Sequence, residues 1–116
     1  MIKQTIQISP DYEEILNQYK NFYERLGSNR NLNVSDIDVY DIDEEIGRGT
    51  ITLININDDY MLTLYDYKMH VDVITDFHLT ENYFEIEYCL MGSIYIQDKN
   101  KVNKFETNQL SVSLTK

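Results

Sequence analysis

Two histidines, one cysteine and an excess of carboxylates are the side chains here that could take part in chemistry. His78, Glu85, Glu87 and Cys89 fall close together in the chain. Imidazole with carboxylate can hold a transition metal, two carboxylates can divide acid and base roles, and a thiolate beside an imidazole can act as nucleophile. Each of these needs partners the chain does not advertise. Glu85 and Glu87 stand two apart, so on a strand they share one face, but an acid–base pair must flank a substrate at about 5–10 Å with supporting groups. They read instead as polar lining of a barrel mouth or as rim residues. Cys89 lies inside an alternating segment, where a lone cysteine is a small core residue. The expectation is a protein without catalytic residues.

Two other patterns have a bland reading. Asp36-Ile37-Asp38 and Asp41-Ile42-Asp43-Glu44-Glu45 offer the oxygen ligands calcium prefers, but lack the glycine and terminal glutamate of an EF-hand loop. They read as a solvated acidic loop. Gly47-Arg48-Gly49 leads into a strand, whereas a phosphate cradle leads into a helix. The net charge of −10 would repel a phosphate backbone, so this segment is not expected to touch nucleic acid directly. One cysteine excludes an internal disulfide and fits the cytoplasm. There is neither a basic-then-apolar leader nor a run of apolar residues long enough for a membrane span. Tyrosine is the abundant type, with ten among 116 residues, and it supplies apolar area tipped with a hydroxyl.

The elements that must carry these residues are mostly strands. From Tyr83 to Leu90, Phe84, Ile86, Tyr88 and Leu90 alternate with Tyr83, Glu85, Glu87 and Cys89, so one face is apolar. Gly92 marks a reversal, followed by strands at Ser93–Gln97, Val102–Phe105 and Leu110–Leu114 with polar turns between them. Upstream, Thr50–Asn57 and Tyr60–Val73 form a hairpin across Asn57-Asp58-Asp59, and the adjacent Leu53-Ile54 suggests a bulge. Ser9 as cap, Pro10 at the first position and Asp11 near the dipole start a helix. Tyr12, Ile15, Leu16, Tyr19, Tyr23 and Leu26 recur along it at helical spacing until Gly27, giving a helix that covers one sheet face. Met1–Ile8 is an edge strand or an arm. Residues 28–48 form an acidic loop with a short strand at Val39-Tyr40. The chain is one domain: arm or edge strand 1–8, helix 9–27, acidic loop 28–48 and a β region 49–116.

FEIEYCLMGSIYI, with NQLSVSL after it and GRGTITLIN and MLTLYDYKMH before it, resembles the cupin barrel. The closer likeness is to the amino-terminal effector-binding domain of AraC-type transcriptional regulators, and it covers roughly Gly47 to the end. Asn108-Gln109 stands where such domains usually carry Gly-Asp, which changes that turn. The resemblance implies a mainly β fold, a cupin-like jelly-roll barrel or sandwich shorter than the usual family barrel, with one amphipathic N-terminal helix. It places His78 and Glu85 at two metal-ligand positions, but Thr80 and Ser111 at the others, so no metal or other cofactor is expected. It implies a small-molecule effector in the lumen. With Glu85 pointing inward, parity takes Glu87 with it; Tyr65, Tyr67, His78 and Tyr95 complete the expected ligand-binding wall. The implied partners are that effector, a second copy in a homodimer, and DNA only through a carboxy-terminal helix-turn-helix region outside these residues, with no membrane. The alternative is a stand-alone small cupin with metal-assisted chemistry, using His78, Glu85 and a third ligand, possible at His70.

Overall fold

Asp11 starts the helix, not Ser9. In the computed structural model α1 spans Tyr12–Leu26, and the Asp11 side chain accepts from the Glu14 amide at 3.3 Å. A carboxylate is a stronger acceptor than a hydroxyl, and its charge suits the positive helix end. Ser9 and Pro10 therefore lie ahead of the cap, with the Ser9 hydroxyl accepting from the Asp11 N–H. Ile15, Leu16, Tyr19, Phe22, Tyr23 and Leu26 make the buried stripe, and Tyr12 at its start is half-buried. At the other end Gly27 is extended, at φ −172°, and needs no left-handed freedom. Close approach is what demands glycine, because an added Cβ would lie 2.0 Å from the Asp41 carbonyl oxygen.

The structure describes residues 1–79, 83–89, 93–98, 101–107 and 109–115, with side chains for 1–78, Tyr95, Lys104, Glu106 and Thr107. These fall into two units, Met1–Thr80 and Glu81–Lys116. In the first, β2 (Gly27–Asn29), β3 (Ile37–Ile42), β4 (Gly47–Ile56) and β5 (Tyr60–Met69) form an antiparallel sheet in that order. The acidic stretch is thus more than a loop. β3 tolerates its acids because other elements meet them: Asn29 donates to Asp38 at 3.1 Å, Lys20 lies 3.7 Å from Asp38, and Arg30 grips Asp41 through two bonds of 2.7 and 2.8 Å. That grip holds the Asp41 carboxyl below its usual range.

No bulge interrupts β4. Its register runs unbroken against both neighbours, so Leu53, 1% exposed, faces the helix and Ile54 faces the reverse side. The hairpin turn is as expected, with Asn57 and Asp58 at positive φ and the Asp59 N–H donating to the Ile56 carbonyl at 3.1 Å. Asn and Asp tolerate that conformation better than most residues. Met1–Ile8 resolves as a strand: β1 (Ile2–Ile8) pairs in parallel with β6 (Val73–Leu79), burying Ile6 and Ile8. Gln18 of α1 ties the helix to it, accepting from the Gln7 amide at 2.8 Å and donating to the Gln7 carbonyl at 3.0 Å.

In the second unit β7 (Tyr83–Cys89) pairs antiparallel with β10 (Gln109–Thr115), and β8 (Ser93–Asp98) with β9 (Lys101–Glu106). All four strands fall within two residues of their expected bounds. The fold is mainly β, with one helix among the described residues.

Candidate functional site

Tyr40, Ile51 and Tyr65 stand directly opposite one another across β3, β4 and β5, on the sheet face that α1 covers. Helical spacing brings Tyr19 and Tyr23 down onto that row. Tyr23 is fully buried at its centre: its ring meets Tyr40 edge-on at 5.6 Å, Tyr65 edge-on at 6.0 Å and Tyr19 at 5.9 Å. Edge contacts of this kind suit the ring quadrupoles. The Tyr23 and Tyr65 hydroxyls share a short hydrogen bond. Tyr67 continues the cluster at 5.7 Å from Tyr65. Opposite Tyr67 stands Gly49, at φ +112°, where an added Cβ would lie 2.1 Å from the Asp66 carbonyl oxygen. The position directly opposite Tyr67 on β4 therefore carries no side chain.

The cluster is closed at one end and open at the other. Tyr40 is fully buried and its hydroxyl has no hydrogen-bond partner among the described residues. Tyr65 and Tyr67 are 53% and 39% exposed. Burial pushes the Tyr65 phenol well above its ordinary value, with Tyr23 adding to it, and burial raises Tyr67 likewise. The exposure of Tyr65 belongs to the residue as a whole, whereas its hydroxyl oxygen lies against fully buried Tyr23, and that oxygen sets the ionisation. Tyr40 is raised by burial first and then by Asp38 and Glu24. Tyr12 is raised by burial and by Asp58, Asp59 and Asp36.

These shifts fix the sign of an alkaline effect. A phenol whose folded pKa exceeds its unfolded value near 10 stabilises the fold below that pH, and the contribution is lost as pH rises through the folded value. Following tyrosinate absorbance should show Tyr12, Tyr40, Tyr65 and Tyr67 ionising later than the exposed tyrosines, with stability falling above about pH 10. Tyr40→Phe and Tyr65→Phe should each remove one late step; early titration of all phenols would contradict this packing.

Of the six expected ligand-binding residues, Tyr65 and Tyr67 are brought into contact. His78 is exposed on β6, paired in register with Gln7. Glu85 and Glu87 sit on one face of β7, opposite Ser113 and Ser111, and their side chains lie outside the described set. Tyr95 on β8 is 69% exposed, with the Lys104 ammonium 5.9 Å from its ring centre. Sequence reasoning passed over Tyr23 and Tyr40. Their signal was present in type, since a helix stripe of tyrosines faces a strand that alternates Tyr40 with Ile42.

Among the described residues no three histidine, cysteine or acidic side chains gather as a metal site. His70, just after β5, is exposed, its amide donating to the Ile46 carbonyl at 2.7 Å. A groove beside the start of α1, lined by Tyr12, Leu16, Lys20, Asn55 and Asp58, has polar groups already engaged. The Tyr12 hydroxyl donates to Asn55 at 2.8 Å, and Asn55 donates to Asp58 at 2.7 Å. No described helix is long and apolar enough to cross a membrane. Comparison with family models, curated proteins and solved structures yields no match to this chain.

Proposed function

We propose that the chain is a ligand-sensing and dimerisation domain of an AraC-type transcriptional regulator, cupin-like in fold and without catalytic activity. The observation that carries the reading is the tyrosine cluster. Tyr65 and Tyr67 present half-open aromatic walls, backed by the Tyr23 hydroxyl. Rings with hydroxyls at the margin of a helix–sheet core suit a small organic molecule, which they can stack against and hydrogen-bond. The alternation through Tyr83–Leu114, now seen as four paired strands, supports the same family likeness.

The effector is polar or cationic. Open tyrosine rings suit such a partner, through their hydroxyls and through the negative faces of the rings. DNA is reached through a carboxy-terminal helix-turn-helix region, so the acidic domain itself need not approach the phosphates. The protein works in the cytoplasm.

A thermal-shift screen of small polar and cationic molecules tests this, with Tyr65→Ala and Tyr67→Ala beside the parent. A ligand that raises the melting temperature of the parent and loses most of that shift in the tyrosine variants is the expected result. Metal-dependent turnover of any hit would overturn it.

A further inference from the structure

We propose that β5 is the seam of the homodimer, pairing antiparallel with β5 of a second copy about a two-fold axis through Tyr67; this rests on the dimeric reading above. β5 ends the sheet order, and no other described strand pairs with its outer side. The Ile46–His70 hydrogen bond sets the parity of the ladder. Antiparallel partners alternate between bonded and non-bonded pairs, so Leu62, Leu64, Asp66 and Lys68 bond inward to β4. Met61, Thr63, Tyr65, Tyr67 and Met69 then turn their N–H and C=O groups outward. An edge ten residues long has no proline and no break in register to block strand addition, and its charges are limited to Asp66 and Lys68.

Charge selects the occupant. The chain carries −10 overall, yet Tyr60–Met69 holds one acid, Asp66, and one base, Lys68. A like copy is repelled everywhere except at such a neutral, self-complementary edge. Outward groups on odd residues meet one another wherever the axis passes through a residue, so charge chooses among them: centring on Asp66 or Lys68 would set that charge against itself. With Tyr67 there, Asp66 faces Lys68 of the second copy and Lys68 faces its Asp66, two opposite-charge pairs. Tyr65 faces Met69, and Tyr67 faces itself. Centring on Tyr65 would set Asp66 and Lys68 against leucines instead. The chosen register also accounts for Tyr65 and Tyr67 standing 53% and 39% exposed on the helix-covered face, since the partner's edge continues that face beyond α1.

The test is light scattering with size exclusion over a dilution series of the full chain. The parent should dimerise. Lys68→Asp and Asp66→Lys, each placing like charges opposite one another, should weaken the dimer about tenfold or more. The double exchange D66K/K68D restores opposite signs and should recover dimerisation. Mixing the two single variants should give the heterodimer. Both positions are exposed, so circular dichroism and melting should stay near the parent's. A parent monomeric at every concentration overturns both this seam and the dimeric reading. A dimer indifferent to all three variants overturns the seam alone.

Discussion

Leu16→Asp should lower stability by several kcal/mol, dropping the melting temperature by roughly 10 °C or more if the chain still folds. Leu16 is 5% exposed in the middle of the α1 stripe. Removing a buried leucine alone costs about 2–5 kcal/mol, through lost transfer energy and the cavity left behind. An aspartate adds a charge among Ile15, Tyr19 and Tyr23, and the cation that lines the same groove, Lys20, already pairs with Asp38. The variant must then protonate the carboxyl, drag it toward water or lift the helix. Asn17→Asp is the control: it adds the same charge one residue on, at an exposed position, and should move stability by no more than about 0.5 kcal/mol. Thermal denaturation by circular dichroism reads both. An unchanged midpoint for Leu16→Asp would place α1 outside the cooperative core.

How much of this could be read in the chain depended on whether the deciding contacts were local. The α1 stripe and the hairpin from β4 to β5 were legible, because helical spacing and an Asn-Asp-Asp turn are written in neighbouring residues. The cap was misplaced because Ser9-Pro10-Asp11 holds two capping residues two positions apart, and a proline after the serine favours the serine. β3 was read as mostly loop because its acids depress strand propensity. What admits them is Asn29, Lys20 and Arg30, brought from β2, from α1 and from the residue after β2. The bulge expected at Leu53-Ile54 assumed that apolar residues keep to one sheet face. Ile54 instead sits opposite Leu62 on the reverse face, so apolar residues of both parities fit a regular strand. In the site, Tyr65 and Tyr67 were legible by type and parity. Tyr23 and Tyr40 were not, since a hydroxyl's role depends on how far a helix is shifted along a sheet. That shift is set by packing, and no short window of sequence encodes it.

Tyr23→Ala should be the other severe substitution, costing about 3–5 kcal/mol by analogy with other buried aromatic truncations. Tyr23 is fully buried and its ring touches Tyr19, Phe22, Tyr40 and Tyr65 at once, joining helix to sheet. Its hydroxyl contributes less than its ring. Tyr23→Phe keeps the area but takes the bond from the buried Tyr65 hydroxyl, so about 1–3 kcal/mol is expected. Tyr40→Phe should be neutral or mildly stabilising, because the hydroxyl it deletes is buried without a partner and was already desolvated at a cost. Denaturant melts of the three variants should therefore rank Tyr23→Ala far below Tyr23→Phe, with Tyr40→Phe at or above the parent. A Tyr40→Phe chain destabilised as much as Tyr23→Phe would mean that the Tyr40 hydroxyl is held by a buried water linking it to Asp38 or Glu24, the two carboxylates that raise its pKa. The cluster would then be a connected polar network reaching from the sheet to the helix, and truncating Tyr23 and Tyr40 together would cost less than the sum of the two single losses.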